Sequence, residues 1–175
     1  MESAFYSTSA QVSFALLGLW WVVVAERRGE WRERASRRRQ AYTVSMYFML
    51  PGIMSLGSLV SAGQTTVWRL TFGLAGALGV LETVAALWET RTQADYRGRV
   101  GALLGVTLPF YLAVVAVAIQ TTLAKDLGIN LKALETEAVV VSGLLFLGVN
   151  FAWLLFFERE GEATARDGAP ASSDR

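Results

Sequence analysis

The chain has 175 residues, of which 53% are hydrophobic, and its formal net charge is only +1. It contains no histidine and no cysteine, which excludes imidazole or thiolate metal sites, thiol nucleophiles, disulfide bonds and a Ser/His/Asp catalytic set. We therefore predict that the protein is not an enzyme and needs no cofactor or metal; a metal-free carboxylate enzyme is the one catalytic class left open.

Five apolar segments predict transmembrane helices. They cover about residues 5–25, 41–62, 67–88, 100–121 and 138–157. Each has close to the roughly 20 residues that a helix needs to cross a hydrocarbon core of about 30 Å. We therefore predict an all-α, polytopic membrane protein whose residues 1–157 form one bundle of five transmembrane helices.

The first predicted span carries polar side chains along one helical face. Ser7, Gln11 and Gly18 follow one another at positions i, i+4 and i+11. Such a stripe either lines a water-filled pathway in an assembly or packs against another helix. Ser7 and Gln11 are therefore candidates for a pore lining or an interface.

The loop after this span, residues 26–40, is strongly basic. It holds seven of the chain's arginines: Arg27, Arg28, Arg32, Arg34, Arg37, Arg38 and Arg39. Positive loops stay on the cytoplasmic side of a membrane. With three more arginines between spans three and four, the count is ten positive side chains on one side and three on the other. This asymmetry predicts an external N-terminus and a cytoplasmic C-terminus.

Acidic and basic residues alternate in the same loop, which predicts that the first helix extends into the cytoplasm and turns near Ser36. The seven arginines would then contact anionic lipid headgroups, at about 1 kcal/mol for each residue near the surface. A purely topological role for these arginines explains the pattern as well.

Spans two and four each contain a proline near mid-membrane, Pro51 and Pro109. Proline frees the carbonyl four residues earlier, here those of Tyr47 and Gly105. Freed carbonyls coordinate ions in some transporters, but more often a proline only bends its helix. We predict helix kinks at both positions.

Glu82 and Asn150 are polar residues within spans three and five. A charged side chain inside a span is costly and usually faces a bundle interior, a cavity or a partner. Glu82 is therefore a candidate ion or proton site, or alternatively a hydrogen-bonding group that holds helices together. Asn150 lies at nearly the same depth, which allows a direct hydrogen bond between the two.

Two further segments lie outside the spans. The loop at residues 122–137 has leucines at helical spacing, which predicts either a short helix on the outer leaflet or an extension of span four. Residues 158–175 are charged or small and predict a disordered cytoplasmic tail.

Together these features favour an oligomeric membrane channel or pore for small ions, because one chain of this size encloses little space. The alternative is a non-catalytic accessory or regulatory subunit of a membrane complex. The expected partners are the lipid bilayer, further copies of the chain and possible other membrane proteins, with no nucleic acid. The expected location is the bacterial plasma membrane.

Overall fold

The computed structural model describes residues 2–29, 35–61, 64–92, 99–120 and 133–167. Within these ranges the chain is helical and has no strand. The helices are α1 (Glu2–Glu26), α2 (Ala35–Ser61), α3 (Thr65–Thr92), α4 (Arg99–Ile119) and α5 (Ala133–Asp167). Each contains 20 to 25 residues that are apolar enough to cross a membrane. The described part of the chain is thus all-helical, and its five long apolar helices indicate an integral membrane protein.

Helices α1, α3 and α4 match the predicted spans to within four residues at each end, α2 begins six residues before its predicted span, and α5 is longer at both ends. It begins at Ala133 instead of residue 138, so that Glu137 lies inside the helix and not in the preceding loop. It also continues to Asp167, through the first ten residues of the segment predicted to be disordered. These residues are rich in Glu, Ala and Arg, which are good helix formers in water.

The arginine-rich loop also differs from the prediction. Helix α1 ends at Glu26, and α2 already begins at Ala35, before the turn expected near Ser36. Residues 30–34 and 121–132 lie outside the described ranges, and so does most of the predicted surface helix between spans four and five.

Helices α2 to α5 form a closed ring in which each packs against the next and α5 returns to α2. Helix α1 lies outside this ring, against α2 and α5. Its position explains its exposure: only 17% of the α1 span is buried, compared with 56% of the α2 span. The other side of α1 is free to meet lipid or another protein.

The ring is filled by large side chains. Phe72, Val114 and Leu144 are all completely buried, and they come from α3, α4 and α5. Close approach of α3 to α4 depends on two glycines, because an added Cβ on Gly76 or Gly79 would collide with side chains of α4. In the described part of the chain, the interior of the ring is therefore packed with side chains.

Several serine and threonine side chains inside the spans bond to their own helices. Thr83 donates to the Gly79 carbonyl at 2.7 Å, and Ser142 donates to the Ala138 carbonyl at 2.9 Å. This bonding to the carbonyl four residues earlier satisfies a hydroxyl without any partner helix. A serine or threonine in these spans therefore does not by itself mark a polar pathway.

Polar contacts join the helices at both ends of the bundle. At the end where α1 finishes, hereafter the arginine end, Trp20 Nε1 donates to the Ala41 carbonyl at 3.0 Å. Arg39 pairs there with Glu89 across α2 and α3 at 3.1 Å. At the opposite end, Arg69 donates to the last two carbonyls of α4, at 2.7 and 2.6 Å. Arg69 thus satisfies acceptors that the end of a helix leaves open.

Candidate functional site

The side of α1 that faces away from the bundle carries a regular row of exposed residues. We define the exposed face of α1 by this row: Ala4, Thr8, Gln11, Ala15, Gly18, Val22 and Ala25. The predicted stripe is divided by the packing, because Gln11 and Gly18 are exposed while Ser7 is half-buried beside them.

The spacing and size of these residues favour contact with another helix. The intervals alternate between four and three residues, which is the heptad pattern of packed helices. Most of the side chains are small, and small residues let helix backbones approach closely in membranes. An added Cβ on Gly18 would meet no atom within 4 Å, so the surface is open there.

Gln11 is the polar centre of this face. It lies eight residues after Ser3, where the apolar span begins, and therefore about 12 Å along the helix at 1.5 Å per residue. An amide exposed at this depth cannot be satisfied by hydrocarbon. The exposed face of α1 therefore suits contact with water or another protein better than contact with lipid alone.

Ser13 lies on a different side of α1, which faces the bundle. Ser13 is completely buried and packs against α2, where an added Cβ on Gly52 would lie 3.1 Å from the Ser13 Cβ. The hydroxyl groups of Ser13 and of Ser55 have no hydrogen-bond partner among the described residues. This face is an internal packing surface.

Glu82 and Asn150 are not brought together. Glu82 is half-buried, and its Oε2 is buried without a hydrogen-bond partner among the described residues. Asn150 donates to the Phe146 carbonyl of its own helix at 2.7 Å. Helices α3 and α5 lie on opposite sides of the ring. The hydrogen bond between Glu82 and Asn150 that their equal depth allows is therefore not formed.

Pro51 and Pro109 both lie inside uninterrupted helices. Pro51 is buried, whereas Pro109 is exposed. Thr107 donates to the Leu103 carbonyl at 2.8 Å, and therefore does not replace the bond that Pro109 removes from Gly105. The two prolines are placed differently and do not define one common site.

The interior of the ring contains a polar cluster that the sequence analysis missed. The Tyr47 ring lies 6.3 Å from the Tyr111 ring, and its hydroxyl faces Thr83 and Thr107 without reaching hydrogen-bond geometry. Both tyrosine hydroxyls are buried and have no partner in the described part of the chain. These residues come from three helices, so no local sequence pattern links them.

A second missed feature lies at the end opposite the arginine end. Glu137 of α5 is completely buried, and neither carboxyl oxygen has a hydrogen-bond partner among the described residues. The Trp68 side chain of α3 faces it, and the indole Nε1 is also buried and unpaired. The spacing of Glu137, Val141 and Leu144, at i, i+4 and i+7, was the available sign that Glu137 lies on the buried face.

The arginines of the first loop are partly engaged in contacts. Arg27 lies over the Phe156 ring, with its guanidinium carbon 4.6 Å from the ring centre, and Arg39 pairs with Glu89. Arg28 and Arg38 are exposed. The predicted lipid contacts of Arg32, Arg34 and the Arg37 side chain lie outside the described part of the chain.

An apolar groove of about 340 Å³ runs between α1 and α5 towards the arginine end. Trp20 and Trp153 lie along its walls, together with Phe156, whose ring also contacts Arg27. An apolar side chain or a lipid acyl chain fits such a lining.

Comparisons of the chain with protein-family models, with curated proteins and with solved structures find no match.

Proposed function

We propose that the protein is an oligomeric membrane channel or pore for small ions, in which the exposed face of α1 from each copy borders a shared axis. The observation that carries the proposal is Gln11, an amide exposed within an apolar span. Around a water-filled axis its donors and acceptors would be satisfied, whereas in lipid they would not.

The packed interior supports a pathway between copies instead of one through a single chain. The interior of the four-helix ring is filled by side chains such as Phe72, Val114 and Leu144, and none of these three is exposed. Closed cyclic symmetry places the same face of every copy towards one axis. Helix α1 is suited to this position because it is the least buried of the five helices.

We further propose that the N-terminus is external and the C-terminus cytoplasmic, in a bacterial plasma membrane. The excess of arginine at the arginine end supports this orientation. Because the chain has no cysteine, a single cysteine substitution reports directly on which side of the membrane its position lies. A membrane-impermeant maleimide should label Ser3→Cys in intact cells and Gly29→Cys only after lysis; the reverse result would overturn the orientation.

Ion flux through liposomes that contain the purified full-length protein tests the channel. We expect flux above that of empty liposomes, and a large reduction in Gln11→Leu with the oligomer retained. Ser142→Ala is the matched control, since Ser142 is also exposed within a span but bonds to its own helix. Glu82→Gln tests whether the half-buried carboxyl of α3 contributes to conductance. Absence of flux from a confirmed, folded oligomer would refute the proposal.

A second candidate is a non-catalytic accessory subunit whose α1 binds a helix of another membrane protein. The small residues of the exposed face favour it, because they suit close helix packing better than a wide water-filled lining. Purification from native membranes separates the two: a different protein in fixed ratio supports the accessory subunit, and a stable assembly of this chain alone supports the channel.

A further inference from the structure

The carboxyl group of Glu137 is buried in an unusual way. The side chain is 0% exposed, and both of its oxygens lack a hydrogen-bond partner among the described residues. The polar group that faces it is the Trp68 indole N–H, which is likewise unpaired. Buried polar atoms in native proteins are nearly always bonded. A carboxyl group with two unused oxygens therefore points to a ligand.

We infer that Glu137 is a proton-binding site at the end of the bundle opposite the arginine end. A buried carboxylate without a cation beside it is costly, whereas the neutral acid is not. Binding a proton removes the charge and leaves a carbonyl oxygen that can accept from the Trp68 N–H. This inference does not depend on the proposed channel.

The neighbouring groups favour a proton over a metal ion. An indole N–H only donates and cannot ligate a cation. Among the described residues, no group of three or more acidic side chains is placed to hold a metal. A single carboxyl group supplies too few ligands for Ca²⁺ or Mg²⁺, which take six or more oxygens.

Few other charges are available to Glu137 from the helices around it. Among the described residues at this end, α2 and α4 carry no acidic or basic side chain. Helix α1 contributes Tyr6, which is buried and has its own interaction, and α5 contributes the exposed Glu135. Arg69 of α3 is bonded to the end of α4. No described cation pairs with the Glu137 carboxyl group.

The position of Glu137 also makes the proton exchangeable. It is the fifth residue of α5, and Glu135, two residues nearer the helix start, is exposed. The partial positive charge at a helix N-terminus moderates the cost of the ionised form. Loss of the proton to water would leave a carboxylate that accepts more strongly from the Trp68 N–H, so the environment of the indole changes with the proton.

Infrared spectroscopy of the full-length protein in nanodiscs tests the inference. At neutral pH the wild type should show the carbonyl stretch of an un-ionised carboxylic acid, and the band should disappear as the pH rises. Glu137→Gln, which keeps the shape of the neutral acid, should lack this contribution to the band at neutral pH, where ordinary carboxyl groups are ionised. Glu135→Gln, the control, should retain it.

Tryptophan fluorescence supplies a second readout that reports the same proton through Trp68. The pH-dependent part of the emission should be lost equally in Trp68→Phe and in Glu137→Gln, and be retained in Glu135→Gln. Absence of the acid band from the wild type at neutral pH, or an acid band of unchanged size in a folded Glu137→Gln at that pH, would overturn the assignment. An emission change that persists in Glu137→Gln would overturn its coupling to Trp68.

Discussion

Substitution of Gly79 by alanine tests the packing of the helix ring most sharply. Gly79 of α3 lies against the Tyr111 ring of α4, and an added Cβ would overlap the ring atoms. Tyr111 is 1% exposed, so its ring cannot move aside into solvent or lipid. The new methyl group must therefore displace either the ring or the helix.

The expected cost follows from two opposing effects. Overpacking of a filled interior costs about 1–3 kcal/mol. Replacement of a helical glycine by alanine recovers about 0.5–1 kcal/mol of that loss. Gly79→Ala should therefore lower the free energy of unfolding by roughly 0–2.5 kcal/mol, the difference between these two effects.

Unfolding in mixed micelles, followed by circular dichroism, measures this change. Gly105→Ala on α4 is the matched control, because an added Cβ there meets no atom within 4 Å. It should be neutral or stabilising. A double-mutant cycle with Tyr111→Leu assigns the cause, since the penalty at Gly79 should shrink when the ring is absent. Equal stability of the Gly79 and Gly105 variants would refute the packing described for α3 and α4.

Two further predictions concern the ends of the bundle. Trp20→Phe removes the buried hydrogen bond to the Ala41 carbonyl and should lower the free energy of unfolding by about 0.5–1.5 kcal/mol. Trp21→Phe, at an exposed position, should have little effect in the same unfolding assay. Arg69→Gln removes both bonds to the end of α4 and should speed backbone hydrogen exchange there. Arg38→Gln, at an exposed position, should leave that exchange unchanged, and an equal effect of both arginine variants would contradict the capping role.

The number and approximate positions of the helices could be predicted from the sequence, because about 20 apolar residues are needed to cross a bilayer. The ends of α5 could not. Glu137 stands beside a polar loop, where an acidic residue is ordinary, and only its spacing from Val141 and Leu144 places it on the buried face.

The candidate site was harder to predict, because it depends on which helices are neighbours. Periodicity placed Ser7 and Gln11 on one polar stripe, but packing half-buries the first and exposes the second. Equal depth suggested a bond between Glu82 and Asn150, but their helices lie across the ring from each other. Depth and periodicity are local properties of a sequence, whereas the order of helices around a ring is not.

Cysteine cross-linking across the exposed face of α1 tests the central claim most directly. The wild type has no cysteine, so Gly18→Cys introduces a single thiol on this face, and Leu78→Cys introduces one on the exposed side of α3. If the α1 faces of several copies border one axis, oxidation in native membranes should link Gly18→Cys into dimers and leave Leu78→Cys monomeric. Monomers alone from Gly18→Cys, or equal linking of both variants, would contradict the account.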